Sequence, residues 1–406
     1  MSGVLRLAWR HACHHWGRSL ILIACLTITL MLPLAVQRLV AHYEQALMAR
    51  AQATPLLVGA RGNRFDLVLK SLYFDTDYAE GVTMADLAPV EEEGFGWAIP
   101  LHVRFTAHRL DEQADAAASY ESVPVVGTTL AYLEFRGLEP ADGTLPLFLG
   151  DAVAGAAAAA RLGLAPGDAV LSDPVAAYDP ARSFQLKMPV VGVLAPTGTP
   201  DDDAVFVDLK TTWVLDGIGH GHEDLRTVAS NGVVDRERTD EANIVATAKL
   251  ARYQEITPEN LASFHFHGDR GGFPITSILV LPADPKMRTI ALGWYRLHDT
   301  RQLLEPAEVV RELMGLVFEI KRFFDANAIV VGATTLLLVA LVLLLSYRLR
   351  RREMVTLVKI GCARSTIVML QASELVMLLA ISTGLALLGA WASVHLAPWF
   401  FTSLPS

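Results

Sequence analysis

Three long apolar blocks constrain the fold of this chain more than any other feature of its sequence. They run from Ser19 to Val36, from Asn327 to Tyr347 and from Thr366 to Val394. The first two carry no charge, and Glu374 is the only ionisable residue in the third. A helix crosses the hydrocarbon core of a bilayer in about 20 mostly apolar residues and satisfies its own backbone hydrogen bonds there. We therefore predict three transmembrane helices rather than buried helices of a soluble core.

The basic start of the chain allows two other interpretations of the first block. Arginines before an apolar run are typical of a signal peptide, and Leu22-Ile23-Ala24-Cys25 has the form of a lipoprotein-processing site. However, no small-x-small cleavage site closes the run, and the run continues well past Cys25. An uncleaved membrane anchor is therefore favoured over both.

The basic residues predict the orientation of the chain in the membrane. Arg6, Arg10 and Arg18 precede the first block, and a strongly basic loop with a single acidic residue joins the second block to the third. Basic segments next to membrane helices stay in the cytoplasm. We therefore predict a multi-pass protein of the inner (cytoplasmic) membrane, with a cytoplasmic N-terminus and a large periplasmic domain.

The segment between the first two blocks contains both helix and strand patterns. The helical pattern of the first block continues through Gln37–Ala51 until Pro55, and a new one begins at Pro306 and runs into the second block. Short β-branched runs at 122–126, 188–194 and 204–207 predict strands, and the Ala-rich stretch 152–162 predicts a helix. These patterns predict an α+β domain that stands on a helical stalk.

The predicted fold class is thus an α-helical membrane protein with three transmembrane helices and a large α+β extracytoplasmic domain. The predicted segments are a cytoplasmic amphipathic helix (1–18), transmembrane helix 1 (19–38), the extracytoplasmic domain with its stalk helices (39–326), transmembrane helix 2 (327–347), a cytoplasmic loop (348–366), transmembrane helix 3 (367–395) and an extracytoplasmic tail (396–406). Membrane lipids are accordingly expected partners.

The predicted periplasmic domain is acidic and contains no cysteine. It holds all but two of the chain's 43 Asp and Glu residues, against 34 Lys and Arg in the whole chain. A basic surface for nucleic acid is therefore not expected there. The three cysteines lie in the predicted cytoplasmic or membrane parts, so no disulfide is expected in the exported domain.

The sequence contains none of the common catalytic motifs. It lacks the GxxxxGK[ST] phosphate-binding loop, the nucleophile elbow, the HExxH motif and the CxxC motif. We therefore predict that the chain is not an enzyme, carries no cofactor required for catalysis and does not itself bind ATP.

The loop between the second and third apolar blocks carries the most informative motif. A basic run with one Glu leads into a short amphipathic stretch, which ends at a Gly suited to a helix C-cap. An Arg and then a membrane helix that bears a Glu follow. This order resembles the C-terminal motif of FtsX-like permeases, and its residues here are Arg351, Arg352, Glu353, Gly361, Arg364 and Glu374.

The periplasmic segment extends the resemblance. Its motifs follow the order of MacB-like periplasmic core domains: Val125-Val126-Gly127-Thr128-Thr129, Phe135-Arg136-Gly137, Asp142-Gly143, Leu164-Ala165-Pro166-Gly167-Asp168, Val190-Val191-Gly192-Val193-Leu194 and Val205-Phe206-Val207. The chain thus resembles MacB/FtsX-like permeases of ABC transporters over most of its length. That family usually has four spans, whereas three are predicted here, so the fourth is either absent or supplied by another subunit.

The resemblance implies how such a chain would work. It implies a permease subunit coupled to a separate ABC ATPase, which binds the ATP, and a homodimer or a pairing with a related permease. It also implies a periplasmic or outer-membrane partner, and a domain whose movements serve export, extraction or metal-linked transport. The residues that couple to the ATPase would be Arg351, Arg352, Glu353, Lys359, Gly361 and Arg364.

Glu374 lies about two turns inside the third block. A charge deep in lipid costs about 2.5–3.5 kcal/mol on insertion scales, so we expect this side chain to reach the interface or to bond a neighbouring helix. A structural role and a role in packing between membrane helices or subunits are both open.

Two His-x-His pairs in the periplasmic segment are candidate metal ligands. They are His220-Gly221-His222 and His265-Phe266-His267, with Asp269 two residues after the second pair. Residues i and i+2 of a strand share a face, and imidazoles at that spacing suit Zn²⁺ or another transition metal. The alternative is that both pairs lie in solvated loops, because Gly and Asp surround them.

Two other functions are open at this point. FtsX-type mechanotransmitters regulate cell-wall hydrolases, but their outer domains are much smaller than the roughly 290 residues predicted here. A membrane-anchored metal-binding receptor would need no ATPase. Co-purification of an ATPase through the 348–366 loop distinguishes the receptor from the other two.

Overall fold

The chain divides into two compact units, which we call the helical unit and the sheet unit. The helical unit consists of Met1–Leu47 and Glu312–Ser406, and the sheet unit of Met48–Arg311. The computed structural model describes residues 2–14, 16–75, 81–110, 121–146, 148–173, 185–221, 254–349, 355, 359, 361 and 363–402.

The α-helices of the described ranges include three that are much longer than the rest. In chain order the helices are α1 (Ser2–His14), α2 (Trp16–Gln52), α3 (Arg64–Tyr73), α4 (Ala88–Glu92), α5 (Leu130–Arg136), α6 (Ala156–Leu162), α7 (Leu209–Leu215), α8 (Pro285–Arg296), α9 (Pro306–Leu349) and α10 (Arg364–Thr402). The long helices α2, α9 and α10 contain the three apolar blocks of the sequence.

The long helices expose apolar surface. Among the described residues, α2 and α10 each have a stretch long and apolar enough to cross a membrane, and α9 has a shorter apolar stretch, Asp325–Leu341. Leu32 is 63% exposed, Leu337 75% and Leu388 64%. A hydrophobic helix at the centre of a soluble protein is covered on all sides, so this exposure argues against a soluble core.

The three long helices pack against one another in the helical unit. Their shared core consists of Leu22, Leu26, Val339 and Leu378. The hydroxyl oxygens of Thr29 and Thr335 lie 3.2 Å apart, and the Ser382 hydroxyl donates a hydrogen bond of 3.4 Å to the Ile23 carbonyl. Small hydroxyl-bearing side chains at helix contacts are typical of helices that pack in lipid.

The sheet unit is built on one large mixed sheet. The strands are β1 (Leu56–Ala60), β2 (Val82–Thr83), β3 (Gly96–Arg109), β4 (Val123–Thr128), β5 (Pro140–Gly143), β6 (Ala152–Ala154), β7 (Ala169–Ser172), β8 (Leu186–Leu194), β9 (Val205–Asp208), β10 (Gly219–His220), β11 (Gln254–Glu255), β12 (His265–Phe266), β13 (Pro274–Ile275), β14 (Ser277–Pro282) and β15 (Arg301–Leu304). Eleven of these form the sheet, in the order β11-β8-β6-β9-β4-β3-β14-β1-β15, with β5 paired to β8 and β7 paired to β3 and β8. The others form two small ribbons, β10–β12 and β2–β13.

The long strand β3 joins two halves of the sheet. Its first part pairs antiparallel with β14, and its second part pairs antiparallel with β4. The register shifts between Val103 and Phe105, which marks a bulge that bends the strand. Each half has its own hydrophobic core, one around Phe105 and Met188 and the other around Ile278.

Most of the elements predicted from the sequence are confirmed. Helix α2 ends before Pro55, α9 begins at Pro306, and the three predicted strands are β4, β8 and β9. The predicted single helix 152–162 is wrong, because Ala152–Ala154 form strand β6 between β8 and β9 and the helix begins only at Ala156. Gly155 lies between the strand and the helix, and only a glycine fits there, since a Cβ would overlap the Asp201 carbonyl.

The N-terminal helix also differs from its predicted bounds. The predicted cytoplasmic helix covers 1–18, whereas α1 ends at His14 and α2 already begins at Trp16. The basic start of the chain is therefore shared between two helices.

Candidate functional site

Three histidines lie side by side on the β10–β12 ribbon of the sheet unit. His220 of β10 lies opposite His265 of β12 in the antiparallel register. His267 follows at position i+2 from His265, and its backbone N–H donates to the Ile218 carbonyl, which extends the pairing by one step. Ring centroids are 4.8 Å apart for His220 and His265, 4.8 Å for His220 and His267, and 4.6 Å for His265 and His267. We call these three residues the histidine cluster.

The cluster presents one nitrogen from each ring to a common centre. A ligand atom of each residue lies within 4.8 Å of the ligand atoms of the other two. His220 and His265 are half-buried, whereas His267 is exposed. The centre of the cluster is therefore accessible to an ion from solvent.

The ribbon that carries the cluster is anchored in the core of the sheet unit. The Trp213 ring of α7 packs edge-on against Phe273 and Phe266, with centroids 5.0 and 6.3 Å apart. Its Nε1 donates a hydrogen bond of 2.8 Å to the Pro274 carbonyl. Phe266 lies between His265 and His267 in sequence, so alternation along the strand directs it to the opposite face. The aromatic face of the ribbon thereby holds the histidine face in place.

A backbone contact orients one of the three rings. The Nδ1 atom of His265 lies 3.0 Å from the Ser263 carbonyl oxygen. Because a carbonyl can only accept, Nδ1 donates in this contact, which makes Nε2 the ring nitrogen available to a metal ion in the neutral imidazole. Metal-bound histidines are commonly held in this way, with the second ring nitrogen donating to a carbonyl or carboxylate.

The structure brings together three of the five predicted metal ligands. His220, His265 and His267 form the cluster, and His222 lies outside the described residues. Asp269 is not part of the cluster. Its carboxylate instead accepts from the Gly271 N–H and caps the turn at 270–272. The Asp-x-Gly pattern after His267 is a known turn signal, so this capping role could have been read from the sequence.

The predicted coupling loop is described only in part. Arg351, Arg352 and Glu353 lie outside the described residues. Lys359 is exposed, and Gly361 follows in a turn with φ of 96°. Helix α10 then begins at Arg364. A left-handed φ of this size is suited to Gly and strained for other residues, so Gly361 has the backbone conformation expected of a helix C-cap glycine.

Glu374 lies at the end of the third turn of α10 and is half-buried there. This position is compatible with a packing role among the helices, which stays a prediction.

A second polar site, which no sequence motif predicts, lies in the sheet unit at the end of α2. Arg50 donates from Nη1 and Nη2 to the two carboxylate oxygens of Asp201, at 2.6 and 2.7 Å. The Tyr132 hydroxyl accepts from Arg50 and donates to Asp201. Burial lowers the pKa of Arg50, but the contacts with Tyr132 and Asp201 outweigh it, so that pKa is raised. Asp201 falls in a stretch that the sequence pattern marks only as a Gly/Pro/Asp loop.

Comparisons with known proteins gave matches among solved structures. No family model matches the chain, and no curated protein matches it. The chain is similar to the periplasmic region of MacB from Actinobacillus actinomycetemcomitans, with 11% identity and a TM-score of 0.35, over 65% of this chain and 94% of that one. It is also similar to the extracellular domain of the ABC-type transporter YknZ from Gram-positive bacteria, with 11% identity and a TM-score of 0.34, over 61% of this chain and 98% of that one.

Proposed function

We propose that the chain is the membrane-spanning permease subunit of an ABC transporter whose ATPase is a separate protein. In this proposal residues 19–38, 327–347 and 367–395 cross the inner membrane. The N-terminus and the 348–366 loop face the cytoplasm, and the 39–326 domain faces the periplasm.

Two properties of the chain support a membrane location. The apolar helix faces around Leu32, Leu337 and Leu388 would be stable in lipid and unstable in water. The basic residues concentrate before the first span and between the second and third, as the positive-inside rule requires of cytoplasmic segments.

The observation that carries the proposal is the continuity of α2 and α9. Each helix includes an apolar segment and continues without interruption into residues of the sheet unit. Within the sheet unit, the buried pair of Arg50 and Asp201 holds the last turn of α2. A displacement of such a helix is transmitted to the domain on which it ends, and a permease that moves a periplasmic domain needs this property.

The cytoplasmic loop supplies the other half of the proposal. The chain contains no phosphate-binding loop, so the energy of ATP has to arrive through a contact with another protein. Residues 348–366 offer that contact, with basic residues and a fixed turn at Gly361 between two helices. The ATPase would move this loop, and the loop would move the helices on either side of it.

The test is purification of the tagged full-length chain from its native membrane in mild detergent. We expect an ATPase with a phosphate-binding loop to co-purify, and Arg352→Glu to reduce its yield. Arg322→Glu, a charge reversal on the exposed side of α9, is the matched control and should retain the ATPase. Absence of any ATPase from the unmodified chain would favour the membrane-anchored receptor.

Reporter fusions test the topology independently. A fluorescent protein inserted after residue 350 should fluoresce, because it folds in the cytoplasm, and alkaline phosphatase inserted after residue 299 should be active, because it folds in the periplasm. The opposite pattern at either position would contradict the proposed orientation.

A further inference from the structure

The histidine cluster has the composition of a transition-metal site. We infer that His220, His265 and His267 together bind one divalent ion of the Zn²⁺ type at the surface of the sheet unit. This inference concerns a ligand of the sheet unit alone and does not depend on an ATPase partner.

The geometry of the cluster is close to what such an ion requires. Zn–N bonds of about 2.0–2.1 Å with tetrahedral angles place ligand nitrogens about 3.3 Å apart. The three nitrogens lie within 4.8 Å of one another, so closure onto an ion requires a movement of at most about 1.5 Å per pair. Rotation of half-exposed imidazole rings supplies a movement of this size without any change in the backbone.

The donor set selects the class of metal. All three side chains are imidazoles, which in their neutral form suit Zn²⁺, Cu²⁺, Ni²⁺ and Co²⁺, whereas Mg²⁺ and Ca²⁺ prefer oxygen ligands. The predicted periplasmic segment contains no cysteine, so thiolate ligands are not available from it. Asp269 caps its own turn and offers no carboxylate to the cluster.

The surroundings of the cluster reduce the cost of assembling it. The antiparallel register already places His220 opposite His265, and the Trp213 packing fixes the strands that carry them. The Ser263 carbonyl orients the His265 ring so that Nε2 can coordinate. Ligands that are held before the ion arrives lose little conformational entropy on binding.

The number of ligands indicates how the ion would be used. Structural zinc sites are closed by four protein ligands, whereas three protein ligands leave a fourth position for water or an exchanging ligand. His267 is exposed, so solvent can reach the cluster. We infer an exchangeable site, at which a periplasmic metal ion is taken up and released, rather than a permanent structural centre.

The experiment is a metal titration of the metal-free full-length chain in lipid nanodiscs. Zn²⁺ is titrated in competition with a chromophoric chelator, and Co²⁺ is added separately because its visible absorption reports tetrahedral nitrogen ligation. We expect one equivalent to bind at micromolar concentration or below. Each of three single variants should weaken binding at least about 100-fold: His220→Ala, His265→Ala and His267→Ala. Loss of a direct ligand should cost at least as much affinity as loss of a group that only hydrogen-bonds to a ligand.

The matched control is His298→Ala, which removes a half-buried histidine of the same unit that stacks on Trp294 and not on the cluster. It should bind Zn²⁺ as the unmodified chain does. A saturable site that persists in all three cluster variants, or binding no tighter than millimolar in the unmodified chain, would overturn the inference.

A measurement on the unmodified chain covers the case in which an alanine variant fails to fold. Diethylpyrocarbonate modifies accessible imidazoles, and peptide mass spectrometry locates the modification. Zn²⁺ should protect His220, His265 and His267 and leave the reactivity of His298 unchanged. Equal reactivity of the cluster with and without Zn²⁺ would count against the site.

Discussion

Arg50 and Asp201 form a two-point ion pair that is almost completely shielded from solvent. The side chains are 4% and 1% exposed, and the two N–O distances are 2.6 and 2.7 Å. The two residues are 151 positions apart in the chain, and Arg50 lies in the last turn of α2. The pair therefore attaches the end of a long helix to the loop before β9.

Loss of the Asp201 charge should destabilise the sheet unit strongly. Asp201→Asn leaves the Arg50 guanidinium buried without its counter-charge, which costs about 3–5 kcal/mol. Thermal unfolding of the full chain, followed by tryptophan fluorescence, measures the effect. Glu305→Gln is the control, because its partner Arg288 is 46% exposed and such pairs contribute about 1 kcal/mol or less. Similar losses in the two variants would mean that burial of Arg50 is not what gives the pair its strength.

The Tyr132 hydroxyl should contribute separately to the same network. Burial, followed by the charge of Asp201, raises the pKa of Tyr132, so its hydroxyl remains protonated and can donate to Asp201. Tyr132→Phe removes this donor and the acceptor of Arg50 while keeping the ring against Phe206, so we expect a loss of about 1–3 kcal/mol in the free energy of unfolding.

The control for this prediction is a second buried tyrosine. The Tyr295 hydroxyl has no hydrogen-bond partner among the described residues. Tyr295→Phe should therefore be neutral or slightly stabilising, because it removes a buried polar group that gains nothing from folding. A loss as large as that of Tyr132→Phe would show that ring packing, and not the hydroxyl network, is being measured.

The contrast between the Arg50 network and the helices shows what the sequence can predict. The end of α2 and the start of α9 depend on Pro55 and Pro306, and a proline acts on the backbone next to it. The partners of Arg50 depend on how distant segments meet in the folded sheet. Arg50 lies in a helical pattern between Ala49 and Ala51, so nothing local distinguishes it from an exposed arginine.

The histidine cluster can be predicted from the sequence better than the Arg50 network but less well than the helix ends. The spacing of His265 and His267 predicts that they share a face, because strand periodicity is local. The position of His220 opposite His265 depends on the β10–β12 register, which pairs residues that are distant in the chain and which periodicity does not predict. Strand β6 is hidden for a related reason: Ala152 and Ala154 have high helix propensity and belong to an Ala-rich run, and pairing with β8 and β9 holds them in the sheet.

Acid should weaken the sheet unit through Asp86. Burial raises the pKa of this carboxyl, but the bonds from Arg301 and from the Thr83 N–H outweigh burial and hold the pKa below its usual value. The ionised Asp86 carboxylate therefore contributes its full stabilisation above the unfolded pKa of about 3.9. This stabilisation is lost as pH falls from there toward the lower pKa of Asp86 in the folded state. Asp86→Asn should be less stable than the unmodified chain at pH 6, and the difference should shrink below about pH 4.

Thermal unfolding from pH 3 to pH 7 checks this dependence. The control is Asp299→Asn, whose carboxylate is fully exposed and 3.7 Å from Arg61. Its unfolding temperature should follow that of the unmodified chain at every pH. A stability difference for Asp86→Asn that stays constant down to pH 3 would contradict a role for the charge.

A single methyl group should disturb the ribbon that carries the histidines. A Cβ at Gly219 would press into the Phe266 ring, and space between the two strands is fixed by their pairing. Gly219→Ala should therefore lower the stability of the sheet unit by about 1–3 kcal/mol. It should also weaken Zn²⁺ binding, because Phe266 is the residue between His265 and His267, and its displacement would move both histidines.

The matched change is Gly293→Ala in α8, where a Cβ meets no atom within 4 Å. Alanine has the higher helix propensity, so this variant should be neutral or stabilised by up to about 1 kcal/mol. Unfolding temperature and Zn²⁺ affinity are measured for both variants. Equal behaviour of the two would mean that the close approach of Gly219 to Phe266 has no energetic consequence.

The turn at Gly361 should matter for coupling and not for folding. Its φ of 96° costs a non-glycine residue about 1–3 kcal/mol, although a Cβ there would meet no neighbouring atom. Gly361→Ala should therefore reshape the loop before α10 and leave the unfolding temperature of the sheet unit unchanged. If the loop transmits the action of the ATPase, ATP should alter hydrogen exchange in residues 37–51 of the unmodified complex but not in this variant, while ATP hydrolysis continues. Gly384→Ala, in the middle of α10 with equally open space, should keep the response. A Gly361→Ala complex that responds to ATP as fully as Gly384→Ala would exclude this turn as the coupling element.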